Sequence, residues 1–193
     1  MRLEVHRFSS ERRADFYRLH SEPNHAGWCF CAAWWTPTWE GWAERTAEDN
    51  RRLREELCKA GEYDGYLLYA DGQPAGWCQA GPRDRLQKLC RQFDLVPSPQ
   101  TWAITCFLIA PQHRRIGLAT RLLREALNDL HARGASRVEA FPRRGMDLRS
   151  EDLWNGPEEM FLRAGFAVTR EDASRPILAL DLVRQGSPGQ VGP

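Results

Sequence analysis

The chain has 193 residues, enough for one domain with a sizeable core. Its 27 basic and 26 acidic residues leave a formal charge of +1, which excludes bulk attraction to nucleic acid or an anionic membrane surface. No apolar run approaches the roughly 20 residues that a membrane-spanning helix needs.

Leu3 to Phe8 alternates as a first strand, and Ser9 or Ser10 can cap a helix running through His20. Asn24 to Pro37 reads as a loop rich in aromatics and cysteine, and Trp39 to Ala60 as a helix closed by Gly61. Residues 66–69 and 75–79 form a hairpin around the turn pair Asp71-Gly72. A short helix over 83–93 and a proline-rich connection over 94–100 follow.

Trp102, Ala103, Ile104, Cys106, Phe107, Leu108 and Ile109 then give a nearly unbroken apolar run, the pattern of a strand covered on both faces. Pro111 ends it, having no amide proton to donate. After the basic stretch His113-Arg114-Arg115-Ile116-Gly117, an amphipathic helix carries Ala119, Leu122, Leu123, Ala126, Leu127 and Leu130 on one face and stops at Gly134. Strands at 137–141, 166–169 and 177–182 flank a helix from Pro157 to Arg163. The alternation predicts an α/β domain over 1–184, with a flexible tail over 185–193. The six cysteines follow an N-terminus without the apolar core of a signal peptide, so reduced thiols and a cytoplasmic setting are expected.

A strand that feeds a glycine loop and then a helix is a ready anion site, because free amides and the helix dipole both favour phosphate oxygens. Arg114 and Arg115 add charge there. The chain has neither a Gly-Lys-Ser/Thr phosphate loop nor a Gly-x-Gly-x-x-Gly dinucleotide fingerprint.

Arg114-x-x-Gly117-x-Ala119, with that strand before it and Phe161-Leu162-Arg163-Ala164-Gly165-Phe166 downstream, resembles the pyrophosphate-loop signature of the GNAT superfamily of acetyl-CoA-dependent N-acetyltransferases. The resemblance covers roughly Tyr66 to Leu182 and implies a mixed central sheet whose two parallel strands, 102–109 and 137–141, splay apart to admit the cofactor. By that resemblance the backbone of Phe107 and Ile109 pairs with the pantetheine arm, an amide near Phe107 or Leu108 faces the thioester oxygen, and amides across Arg114, Arg115, Ile116, Gly117, Leu118 and Ala119 hold the pyrophosphate with the Thr120 hydroxyl. It further implies acetyl-CoA as acyl donor, no metal, and direct attack by a primary amine of a small molecule or a peptide. A homodimer is a further expectation; nucleic acid and membrane are not expected partners.

The sequence departs from that pattern at Phe161, where many relatives carry a tyrosine acid. Glu139, on the neighbouring strand, is the candidate base, with a paired strand carboxylate as the bland reading. Five of the eight tryptophans fall between residues 28 and 42. Three readings of their loop stay open. It can be a hydrophobic lid or an amine pocket formed by Trp28, Trp34, Trp35 and Trp77. It can also hold zinc through His25, Cys29, Cys31 and Cys78. Cys106 reads as a small buried hydrophobe, and no histidine partner for a cysteine nucleophile is evident. Against the enzyme stands a non-catalytic acyl-CoA-binding module, for which Phe161 speaks.

Overall fold

The computed structural model describes residues 1–21 and 27–182, with the side chains of residues 150 and 151 excepted. His25, Asn24 and the tail over 185–193 lie outside the described residues. Seven strands form one sheet: β1 (Leu3–Arg7), β2 (Gly65–Ala70), β3 (Gln73–Pro82), β4 (Thr101–Ile109), β5 (Arg137–Ala140), β6 (Ala167–Arg170) and β7 (Ile177–Asp181), in the order β1-β2-β3-β4-β5-β7-β6. The helices are α1 (Arg13–Leu19), α2 (Ala47–Lys59), α3 (Gln87–Gln92), α4 (Leu118–Ala132) and α5 (Glu158–Arg163). β4 and β5 are parallel, and every other neighbouring pair is antiparallel. The mixed sheet flanked by helices is the one expected.

The apolar strands are explained by cover on both faces. Tyr66, Leu68, Ile104 and Phe107 meet Leu118, Leu122, Leu123, Ala126, Leu127 and Leu130 of α4 in one core. Leu67, Tyr69, Trp77 and Cys106 pack on the other face with Phe16, Leu19 and Phe30. Asp71 and Gly72 both take left-handed dihedrals, φ 49° and 77°, the combination a tight hairpin of right-twisted strands requires.

One expected helix is shorter than its apolar pattern. Residues 40–44 form turns, and α2 begins only at Ala47. Thr46 caps it: its hydroxyl accepts from the Asp49 amide, while the Asp49 carboxylate accepts from Thr46 N–H. The residues before the cap are drawn into packing, with the Trp39 indole donating to Gln92 at 2.6 Å.

The site is set by where the parallel pairing ends. β4 and β5 pair from Thr101/Arg137 to Ile104/Ala140, and β4 continues to Ile109 without that partner. A wedge opens between them. The chain beyond β5 returns to cap it, and Phe107 N–H donates to the Trp154 carbonyl at 2.7 Å.

Candidate functional site

The loop between β4 and α4 is an anion cradle. Arg115 and Gly117 both have positive φ, 64° and 84°, and this alternation turns successive amides toward one side. Gly117 also forms the N-cap of α4 without a side-chain cap. The first amide after it to reach back is Arg121, bonded to Gly117 O at 3.1 Å, so the amides of the first helical turn are left for another acceptor. A Cβ on Gly117 would meet no protein atom within 4 Å. The glycine is therefore needed for its left-handed backbone, and close approach within the protein is not the reason. Arg114 folds back, its Nε donating to Ile109 O at 2.9 Å.

A cleft of about 920 Å³ runs from this cradle along β4 to an aromatic floor. Phe107, Leu108, Ile109, Arg114, Arg115, Gly117, Leu118, Ala119 and Thr120 line one end. Trp28, Trp39, Trp42 and Trp154 line the other, and His20, Cys31 and Cys106 also form part of its wall. No carboxylate lines the cleft among the described residues. The donor set suits a phosphate-bearing thioester: unpaired amides, a hydroxyl and two guanidinium groups at one end, and an apolar channel beyond.

The Acetyltransferase (GNAT) family model matches residues 11–155. The chain belongs to this family. Solved GNAT-fold structures resemble it over nearly its whole length. An N-acetyltransferase from Staphylococcus aureus Mu50 is 12% identical with a TM-score of 0.57, covering 95% of this chain and 100% of that one. The PaiA N-acetyltransferase of Thermoplasma acidophilum, solved with coenzyme A, is 13% identical at TM-score 0.54, covering 94% and 99%. The ribosomal-protein-S18-alanine N-acetyltransferase of Escherichia coli is 14% identical at 0.53, covering 96% and 97%. At such identities the likeness is one of fold. A search of curated proteins found no match.

Several GNAT expectations are relocated by the structure. Glu139 does not line the cleft; both its oxygens accept from Arg83 Nη1 at 2.7 Å, and it is buried. It belongs to a buried ion pair bracing β5. Trp77 is wholly buried against Phe16 and Tyr63, and Trp34 packs with Leu86, Leu89 and Phe93, so neither opens onto an acceptor. Trp35 stacks on Tyr63 and is absent from the lining. Of the four tryptophans expected there, Trp28 alone is on the cleft; Trp39, Trp42 and Trp154 replace the others. Ile116 is 56% exposed and outside the lining. Phe161 lies in the core against Phe107 and Phe166. The Phe107 amide is engaged by Trp154 O rather than open to a thioester oxygen, because a splayed strand still has to satisfy its buried N–H. Cys78 packs in the α4 core and Cys31 in the core on the other face of the sheet, and no group of three metal-ligating side chains gathers among the described residues.

The structure also assembles a group that the sequence did not reveal. His20 Nε2 lies 3.3 Å from Cys31 Sγ, and Cys31 Sγ lies 2.9 Å from Cys106 Sγ. His20 Nδ1 is 3.0 Å from the Phe16 carbonyl, an oxygen that can only accept. Phe30 and Cys31 both have left-handed backbones, φ 44° and 51°, a strain of about 1–2 kcal/mol each. The Tyr63 hydroxyl holds this turn, lying 3.3 Å from Phe30 O and 3.4 Å from Cys31 O. The Arg54 guanidinium is buried over the rings of Tyr63 and Phe16, at 3.4 and 3.9 Å. Burial opposes ionisation of Cys31. The Cys106 S–H, the His20 ring and the Arg54 charge outweigh it and hold the Cys31 thiol well below its ordinary value. Cys106 moves the other way, raised by its bond to Cys31 and by burial.

Proposed function

We propose that the protein transfers an acetyl group from acetyl-CoA to a primary amine, most simply that of a small molecule. The supporting observation is the continuity of one cleft, from the left-handed Arg115–Gly117 cradle to the aromatic floor. The amides at the start of α4, the Thr120 hydroxyl and the two arginines would hold the pyrophosphate. The β4 edge from Phe107 to Ile109 would take the pantetheine arm. When bound, acetyl-CoA supplies an activated acyl group; the chain orients it and excludes water.

The acceptor end favours an amine with an apolar or aromatic body. Trp28, Trp39, Trp42 and Trp154 offer ring faces and edges, and no described carboxylate is present to neutralise a strongly cationic head. His20 and His113 are the imidazoles on the cleft wall, so proton removal from the amine falls to an imidazole.

One observation favours a second reading. Phe161 sits in the core and carries no hydroxyl with which to protonate a departing thiolate. A non-catalytic acyl-CoA sensor would have no need of that proton. Calorimetric titration with acetyl-CoA, followed by thiol release with an amine panel, separates the two. Binding with amine-dependent thiol release supports transfer. Binding with no release for any amine favours the sensor, and no binding removes both.

A further inference from the structure

We propose that Cys31 is a nucleophile that takes the acyl group onto its own sulfur, with His20 as its proton partner, before the acceptor amine receives it. This rests on the reading of the cleft as an acyl-CoA site, and it replaces the direct attack implied by the family resemblance with a covalent relay.

The geometry assigns each part a task. His20 is fixed by stacking on Phe16, with ring centroids 3.9 Å apart, and by the contact of Nδ1 with the Phe16 carbonyl. That contact requires the proton on Nδ1 and turns Nε2 to the Cys31 sulfur at 3.3 Å. The ring is thus set in the tautomer that can accept a thiol proton. Cys31 stands on a left-handed turn clamped by Tyr63. Strained, over-determined backbone of this kind concentrates at functional sites. Cys31 and Cys106 both line the cleft, Cys106 next to the β4 residues that border the wedge. Arg54 adds a buried positive charge. Its Nε and Nη2 have no hydrogen-bond partner, and among the described residues its one hydrogen-bond acceptor is Cys58 Sγ. A cation left without a carboxylate stabilises a thiolate nearby. The thiol pKa of Cys31, held below its ordinary value, agrees with this arrangement.

The step balances without an external oxidant or reductant. The Cys31 thiolate attacks the thioester carbonyl carbon. A carbon–sulfur bond to Cys31 forms, the bond to the CoA sulfur breaks, and CoA leaves with the proton carried by His20. The amine nitrogen then attacks acetyl-Cys31. The new carbon–nitrogen bond releases the Cys31 thiolate, and the amine's proton returns to His20. His20 thereby supplies the leaving-group proton that Phe161 cannot.

The test needs no knowledge of the acceptor. The protein, kept reduced by a phosphine so that Cys31 and Cys106 stay free thiols, is mixed with acetyl-CoA in the absence of amine. Intact and peptide mass spectra should show one acetyl group, mapped to Cys31. Label should exchange between acetyl-CoA and free CoA without any acceptor, because a covalent intermediate makes the first half-reaction reversible. Both should vanish in Cys31→Ser, which should still bind acetyl-CoA by calorimetry. With no cofactor present, iodoacetamide at mildly acidic pH should modify Cys31 about tenfold faster than Cys78 or Cys106, an advantage lost in His20→Gln. Acetyl-CoA bound but not exchanged, acetyl spread over other cysteines, or undiminished exchange in Cys31→Ser would overturn the relay and leave the acyl-CoA reading standing. Failure to bind acetyl-CoA would overturn both together.

Discussion

Glu139→Gln separates two roles for one carboxylate. Both Glu139 oxygens accept from Arg83 Nη1, and Arg137 Nε lies 3.6 Å away. The side chains of Arg83 and Glu139 are only 12% and 6% exposed. Breaking a buried pair from one side costs about 3–5 kcal/mol, because the surviving charge is stranded. Glutamine keeps one accepting oxygen and the shape, so the loss should fall near about 2–3 kcal/mol. In a chain of this length each kcal/mol shifts Tm by about 2–4 °C, giving a fall of about 4–12 °C. Urea and thermal unfolding read the stability, and calorimetry with acetyl-CoA should show unchanged affinity. The double variant Arg83→Met with Glu139→Met should recover most of the loss, since no unpaired charge remains. Wild-type stability in Glu139→Gln, with turnover abolished and acetyl-CoA still bound, would refute the structural role and restore Glu139 as a base.

Gly117→Ala should cost about 1–2 kcal/mol of stability through its φ of 84° alone, and should weaken acetyl-CoA binding in calorimetry; unchanged affinity would remove the loop from the phosphate site. Gly65→Ala should be harsher, by about 3 kcal/mol, because its Cβ would sit 2.3 Å from Trp77 Cη2 and 2.7 Å from Cys78 O; a wild-type urea midpoint would contradict the packing. Burial lowers the Lys88 pKa from 10.5 to about 8, so the unfolded chain holds more protons between those values and stability linked to Lys88 rises with pH across that window. The stability difference between Lys88→Met and wild type, measured by urea unfolding, should therefore shift in favour of wild type from about pH 8 upward; a constant difference would rule this out.

Periodicity made the scaffold legible. The unbroken apolar β4 and the spacing of Leu122, Leu123, Ala126, Leu127 and Leu130 each encode which face is buried, and Gly117 marks the turn between them. The chemistry was less legible because it depends on contacts distant in sequence. Cys31 lies 75 residues from Cys106, and Glu139 lies 56 from Arg83; no local pattern records either pairing. The tryptophans were visible as a cluster, but their directions were not. Trp77 alternates into the core, whereas Trp39 and Trp42 face the cleft because the Thr46–Asp49 capping box starts α2 after them. That Thr-x-x-Asp spacing was the local signal available.

The Phe107 amide has a single proton, and the Trp154 carbonyl already holds it. A donor whose acyl oxygen claims that proton must trade places with a loop rather than fill a vacant slot. Donor binding would then report the cost of that exchange as well as the strength of the phosphate cradle. The same exchange would disturb the Trp154 indole, which stacks against Trp34 with centroids 6.1 Å apart on the wall of the acceptor end. Loading one substrate is thereby mechanically tied to the shape offered to the other, and the indole is a native optical probe of that coupling.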